Sequence, residues 1–314
     1  MSDDGTQDII TSYSKEFDNI KYIMNPERYV PSGFNRALSV CRGDLIVRVD
    51  GHAVLEKDYF STCVNLIKKI DVDCVGGSIF HQSNTKIGRA IMLAQSSKFG
   101  SGGASFRRKI KKGKYVNTLA FGAYKRSVFK KIGGYDEELI RNQDDEFNFR
   151  MLQNGMKIWI DPSINSTYFS RNKYSNLFTQ YFGYGKYKVK VFQKRKALAS
   201  VRHVVPLFFV VSIILGIFIL ISKNNSFLIT LIFYSYLISC LISTVGVLRG
   251  KKLVKNFQSL TQNFFNIFLI SFSYFIMHFA YGLGFLIGLI VYANKWNDRT
   301  VKDYHFNSKV FNNN

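Results

Sequence analysis

An apolar run, Leu45-Ile46-Val47-Arg48-Val49, ends in Asp50-Gly51-His52. A strand of this kind puts a carboxylate and an imidazole at one edge of a sheet. Open α/β sheets bind their ligands there, at the carboxyl ends of strands. Carboxylate with imidazole suits Mn2+ or a similar divalent ion, and carboxylate alone suits Mg2+. Asp-Gly is also ordinary turn chemistry, so a plain surface turn competes with a ligand site at this string. A second group of carboxylates follows in Gly133-Gly134-Tyr135-Asp136-Glu137-Glu138 and Gln143-Asp144-Asp145-Glu146. Acidic residues at a helix start are favoured by the helix dipole. A carboxylate held there beside a substrate can equally serve as a general base.

These groups need elements to position them. Helix-like spacing occurs over 6–14, 32–40, 59–70, 90–94, 126–132 and 144–153, and strand-like runs over 20–24, 45–49, 73–79, 116–120 and 157–160. Such alternation predicts a Rossmann-like α/β domain over 1–165, with a mainly parallel sheet covered by helices.

The rest of the chain has a different composition. The net charge is +22, of which residues 1–160 carry +7 and residues 161–314 carry +15. The acidic residues of the second part are Asp161, Asp298 and Asp303. Three uncharged apolar runs, 204–222, 226–248 and 264–293, have 19, 23 and 30 residues. About 20 residues cross a bilayer, so the region 204–293 predicts about three transmembrane helices. The basic excess therefore points to an anionic membrane surface, with no nucleic acid as partner.

Residues 166–203 form a basic connector with interleaved aromatics, expected to lie on membrane lipid. The positive-inside rule places this connector and the loop 249–262 in the cytoplasm. With three crossings the polar tail 294–314 would lie outside, which its Lys295, Arg299, Lys302 and Lys309 fit poorly, so the 30-residue third run could instead contain an interfacial part or a re-entrant turn. Gly284 and Gly288 form a small-xxx-small pair that could mark a helix contact. Cys41, Cys63, Cys74 and Cys240 show no paired spacing and read as reduced packing thiols.

Several motifs occur together in a recognisable order. They are Val49-Asp50-Gly51-His52, the stretch from Phe99-Gly100 to Phe106-Arg107, Phe121-Gly122-Ala123-Tyr124, Gly133-Gly134-Tyr135-Asp136, Gln143-Asp144-Asp145-Glu146 and His278-Phe279-Ala280-Tyr281-Gly282. In this order the chain resembles the inverting family 2 glycosyltransferases, and most closely their succinoglycan-biosynthesis branch, which has Asp-x-His in place of Asp-x-Asp. The resemblance implies a GT-A fold and transfer of one sugar from a nucleotide sugar, taken as a UDP-sugar, to a polyprenyl-linked or glycan acceptor. It implies a multi-pass protein of the bacterial inner membrane with its catalytic domain in the cytoplasm.

By position, Asp144 would be the catalytic base. Asp50 and His52 would hold a divalent metal, Mg2+ or Mn2+. Asp4, Asp50 and Gly122 would contact the donor. Ala123, Tyr135, Asp136, Asp145 and Glu146 would contact the acceptor.

The family's Glu-Asp pair reads Gln143-Asp144 here. Loss of the acidic neighbour would make Asp144 a weaker base, unless Glu146 compensates. The Gln-x-x-Arg-Trp signature of processive synthases is absent, which favours single-sugar transfer. Met1-Ser2-Asp3-Asp4-Gly5-Thr6 resembles the middle of a family motif. By that resemblance roughly 35–45 residues, including the first strand, would precede it in a complete domain. The competing expectation is a non-catalytic remnant, or a membrane partner of another transferase.

Overall fold

The computed structural model describes residues 4–197, 201–251 and 263–313. Asp3 and the connector residues 198–200 lie outside the described residues, as do Lys252 and Lys255 of the loop expected inside the cell.

Six strands form one sheet: β1 (Leu45–Val47), β2 (Ala53–Leu55), β3 (Cys74–Gln82), β4 (Lys114–Tyr115), β5 (Ala123–Lys125) and β6 (Ile158–Phe169). Their order is β1-β5-β3-β6-β2, with β4 also paired to β6. The sheet is mixed. β3 and β6 are parallel, whereas β1–β5, β3–β5, β2–β6 and β4–β6 are antiparallel. This corrects the mainly parallel expectation. Helix and strand alternation tells which elements cover a sheet, but each strand's direction depends on where its connection enters. Residues 118–122 run across the carboxyl end of β1, so β5 starts there, with Ala123 opposite Val47, and runs back.

The helices are α1 (Thr6–Glu16), α2 (Val30–Val40), α3 (Tyr59–Lys69), α4 (Lys86–Ser96), α5 (Lys98–Ser101), α6 (Arg126–Ile132), α7 (Gln143–Gln153) and α8 (Tyr174–Arg195). Local signals fix several of them. Thr85 caps α4 by accepting the Gly88 N–H at 3.0 Å, and α6 stops at Gly133, whose φ is +77°. Residues 20–24 form no strand: Ile20 and Met24 are exposed, and a strand needs a neighbour to bond. The run 116–120 is also no strand, because it turns across the sheet end to line a cavity.

One core, beneath the sheet, joins Leu38, Tyr124, Phe129, Phe147 and Met151. Another joins α4 and α8 to the apolar helices α10 (Phe227–Gly250) and α11 (Phe264–Val291) through Ile91, Leu177, Ile270 and Met277. With α9 (Val205–Lys223), these make three helices long and apolar enough to cross a membrane. They differ in burial. In its most apolar stretch α11 is 44% buried, against 11% for α9 and for α10.

The basic connector folds as α8, not as a strip lying on lipid. Lys188, Lys190 and Lys194 are buried, and they pair with Asp145, Glu138 and Asp136 of the α/β domain. The acidic cluster supplies the partners that a basic pattern alone cannot reveal. The tail also packs inward. Asp303 accepts the Gly134 N–H at 3.0 Å, the His305 imidazole meets Glu137 at 2.6 Å, and the Phe311 ring is buried beneath the Arg126 guanidinium at 3.8 Å.

α8 and α11 touch backbone to backbone along glycines. A Cβ on Gly284 would stand 2.1 Å from the Phe182 carbonyl oxygen, and one on Gly185 would stand 1.9 Å from that of Tyr281. Gly288 faces the Lys186 carbonyl oxygen in the same way, so the glycine pair read from sequence is a helix contact. Gly284→Leu is expected to force the helices apart, at a cost of at least the roughly 1–3 kcal/mol of ordinary overpacking. Thermal unfolding in detergent should show a clearly lower midpoint; an unchanged midpoint would mean that the two helices separate freely.

Candidate active site

A cavity of about 850 Å3 opens at the carboxyl ends of β1, β3 and β6. Its lining includes Asp50, His52, Gly122, Tyr135, Asp144 and Asp145. The structure thus brings together residues far apart in the chain.

Arg48 and Asp50 alternate along the segment leaving β1, which places them on one side of it. The Arg48 guanidinium grips Asp50 as a fork, Nε to Oδ1 at 2.8 Å and Nη2 to Oδ2 at 2.9 Å. Two-pronged charged bonds of this kind hold a carboxylate in one orientation. The guanidinium carbon also stands 5.8 Å from the centre of the Tyr135 ring. Burial works against its charge, but Tyr135, Asp144 and Asp50 around it keep it firmly cationic. His52 stands edge-on to Tyr168 at 4.8 Å, and burial holds its pKa below the ordinary 6.5. The imidazole is therefore neutral at pH 7, with a lone pair to offer.

Asp144 lies in the first turn of α7 and accepts the backbone N–H of Asp145 at 2.9 Å. Burial raises its carboxyl above the ordinary 3.8; Arg48 opposes this, and Asp145 and Asp50 add to it. Burial thus does the work expected of the missing acidic neighbour. Glu146 does not compensate. It is buried outside the cavity, between Arg150 at 3.1 Å and Arg195 at 2.9 Å.

Two strained positions flank the site. Phe121 and Asn142 have φ of +56° and +62°, a region that residues with a Cβ seldom adopt. The Tyr59 hydroxyl donates to the Phe121 carbonyl, and the Asn142 amide donates to the Tyr184 carbonyl at 2.8 Å. Backbone strain held in place by such bonds is common at ligand sites. Gly122 lies between them on the floor, where a Cβ would meet Cys74 Sγ at 2.8 Å.

Other expected residues lie elsewhere. Asp4 is exposed and accepts from the Thr6 hydroxyl at 2.6 Å, outside the cavity, in a segment whose helix α1 buries no residue. Ala123 is buried in β5 among core side chains. Asp136 is fully buried and pairs with Lys194. None of these three, nor Glu146, lines the cavity.

The cavity also has groups to which the motif reading gave no role. Arg107, Lys188 and Arg202 add positive charge and hydrogen-bond donors, His203 contributes an imidazole, and Tyr281 contributes a hydroxyl. Gln143 Oε1, His203 Nδ1 and the Tyr281 hydroxyl are buried and, among the described residues, have no hydrogen-bond partner. Buried polar atoms normally have partners, so these are open to a polar ligand. Arg48 had a legible signal in its spacing of two from Asp50, and Arg107 and Tyr281 had one in the motifs that contain them.

Among the described residues, no three His, Cys, Asp or Glu side chains are placed to share a metal. Asp50 and the neutral His52 remain as a donor pair. Each carboxylate oxygen keeps a lone pair beyond its Arg48 bond. That set fits a divalent ion shared with substrate phosphates, which is how Mg2+ is usually held.

The model described as Glycosyl transferase family 2 matches residues 1–133. The succinoglycan biosynthesis protein ExoA of Rhizobium meliloti (strain 1021) is 30% identical over 208 residues, which cover 66% of this chain and 63% of that protein. By sequence, residues 1–133 belong to glycosyl transferase family 2. The chain is also similar to an enzyme of Methanococcus voltae, named dolichyl N-acetyl-alpha-D-glucosaminyl phosphate 3-beta-D-2,3-diacetamido-2,3-dideoxy-beta-D-glucuronosyltransferase. The identity is 28% over 257 residues, covering 79% of this chain and 75% of that one. The family match takes in Asp50, His52 and Gly122. Asp144 lies beyond it and lines the same cavity as Asp50.

Proposed function

We propose that this chain is a membrane-bound, inverting glycosyltransferase that moves one sugar from a nucleotide sugar to a lipid-linked acceptor during assembly of a surface polysaccharide. One observation carries this reading. The cavity that holds Asp50 and Asp144 is walled on its far side by Val205, Pro206 and Phe209 of α9, Tyr236 of α10 and Met277 of α11. A site continuous with apolar, membrane-type helices suits an acceptor whose reacting sugar is attached to a lipid. The Methanococcus relative, whose name includes a dolichyl phosphate-linked sugar, supports the same acceptor class.

The chemistry follows from the groups present. Asp144 takes the proton of the acceptor hydroxyl as that oxygen bonds to the anomeric carbon. The bond from that carbon to the donor diphosphate breaks on the opposite face, so one displacement inverts the centre. Asp50, oriented by Arg48, and His52 would hold Mg2+ or Mn2+, which neutralises the leaving diphosphate when bound. Arg107 and Arg202 supply further positive charge on the cavity wall. The donor is read as a UDP-sugar and the setting as the bacterial inner membrane, with the site in the cytoplasm.

Full-length protein in native-lipid vesicles, given a panel of labelled nucleotide sugars, is expected to pass label into the organic-soluble lipid fraction. EDTA should suppress the transfer, and excess Mn2+ or Mg2+ should restore it. Label found only in water-soluble glycan would sink the lipid acceptor. No turnover with any donor would favour a non-catalytic partner.

A further inference from the structure

We infer that only α9 and α10 cross the membrane, and that α11 lies along the leaflet on the side of the α/β domain, with the tail on that same side. This goes beyond the transferase reading and stands without it.

The apolar region is tied at both ends to one soluble body. Before it, α8 pairs Lys190 with Glu138 at 3.3 Å and Lys194 with Glu138 at 2.7 Å. After it, the His305 N–H donates to Glu137 at 2.9 Å and the Phe311 ring sits in the core beside Phe129. A chain that leaves a body and returns to the same face of it crosses a membrane an even number of times. Three crossings cannot satisfy both sets of contacts.

The helix that does not cross is identified by its neighbours. The soluble part touches α11 along its whole length. The Tyr174 hydroxyl donates to the Leu269 carbonyl at 3.0 Å near its start, and His278 Nε2 meets the Phe99 carbonyl at 3.0 Å at its middle. At its end the Gln193 amide donates to the Tyr292 carbonyl at 2.6 Å. α8, which runs beside it, carries Lys188, Lys190 and Lys194, and such a helix does not enter hydrocarbon. Among the described residues, the outer halves of α9 and α10 are instead exposed, as at Phe218, Ile221, Phe227 and Leu231.

The free face of α11 is a stripe of phenyl rings. Phe265, Phe268, Phe272 and Phe275 are 57%, 57%, 40% and 38% exposed. Their spacing puts them on one side of the helix. The stripe is continuous with the α9–α10 hairpin, since Ser243 of α10 donates to the Tyr274 hydroxyl at 3.2 Å. Lipid acyl chains are the occupant this geometry fits. The tail's Lys295, Arg299, Lys302 and Lys309 then fall on the side of the basic connector, as the positive-inside rule requires.

Single Ser→Cys variants of the full chain at Ser61, Ser226 and Ser308 would be labelled with a membrane-impermeant maleimide, before and after permeabilisation. The unsubstituted chain is the blank, because its four cysteines are buried or half-buried. Ser308→Cys is expected to label with Ser61→Cys, and Ser226→Cys from the opposite side. Ser308→Cys labelling with Ser226→Cys would restore three crossings and overturn the inference. All three on one side would overturn the crossing hairpin.

A nitroxide at Phe272→Cys, in vesicles, should be quenched by oxygen and shielded from a water-soluble nickel chelate. Quenching by nickel, or by neither, would replace lipid with water or with a second protein surface.

Discussion

Replacing Asp144 by Asn is expected to lower glycosyl transfer by about 10²–10⁴-fold, the usual contribution of a positioned base. The side chains are nearly the same shape, and an Asn oxygen can still accept the Asp145 N–H that Asp144 accepts at 2.9 Å. The fold should therefore survive while proton acceptance is lost. The loss should appear in kcat, with little change in donor binding, because Asp50 and Arg48 keep their fork.

The pH profile offers a second readout. A base works when ionised, so the rate is full above its pKa and falls as pH drops through it. Burial raises the Asp144 carboxyl above 3.8, so the acid limb should lie above the ordinary aspartate range. Transfer by Asp144→Asn at the unsubstituted rate would remove Asp144 from the chemistry.

The largest effect on stability is expected at Lys194. Its ammonium is 2% exposed and meets Asp136, which is fully buried, together with Glu138 at 2.7 Å and the Thr300 carbonyl at 3.0 Å. Lys194→Ala leaves Asp136 charged and unpaired in the interior, which typically costs about 3–5 kcal/mol. It also cuts a tie between α8 and the tail.

The sign of its pH dependence can be worked out. Burial already raises the Asp136 carboxyl, and Lys194 opposes that rise. Without the lysine the pKa climbs further, so the acid form is favoured in the folded protein. The penalty should be greatest at neutral pH and shrink as pH falls toward the carboxylate range. Asp136→Asn in the Lys194→Ala background should recover part of the loss. Thermal unfolding at two pH values tests this, and equal midpoints for Lys194→Ala and the unsubstituted chain would refute it.

Much of the site was legible because motif order is a property of the chain itself. Asp50, His52, Gly122, Tyr135, Asp144 and Asp145 all line one cavity. Asp136 and Glu146 were not separable from Asp144 and Asp145 by type or spacing. What separates them is where each lies, Asp136 in the loop before α7 and Glu146 within it, and the cation that meets it, Lys194 for Asp136 and Arg150 with Arg195 for Glu146. The connector lysines were misread for the same reason. A basic residue attracts lipid headgroups or carboxylates equally well, and only the fold says which is nearer.

By itself, then, the sequence determined the family, the order of the motifs, an α/β part and three apolar helices. The last two are written in local composition and periodicity, and the family rests on the motifs and their order. The tertiary structure alone decided strand direction, the partners of buried charges, the strained turns at Phe121 and Asn142, and where the tail packs. These depend on contacts between residues far apart in the chain, such as Glu137 with His305, and no local pattern carries them.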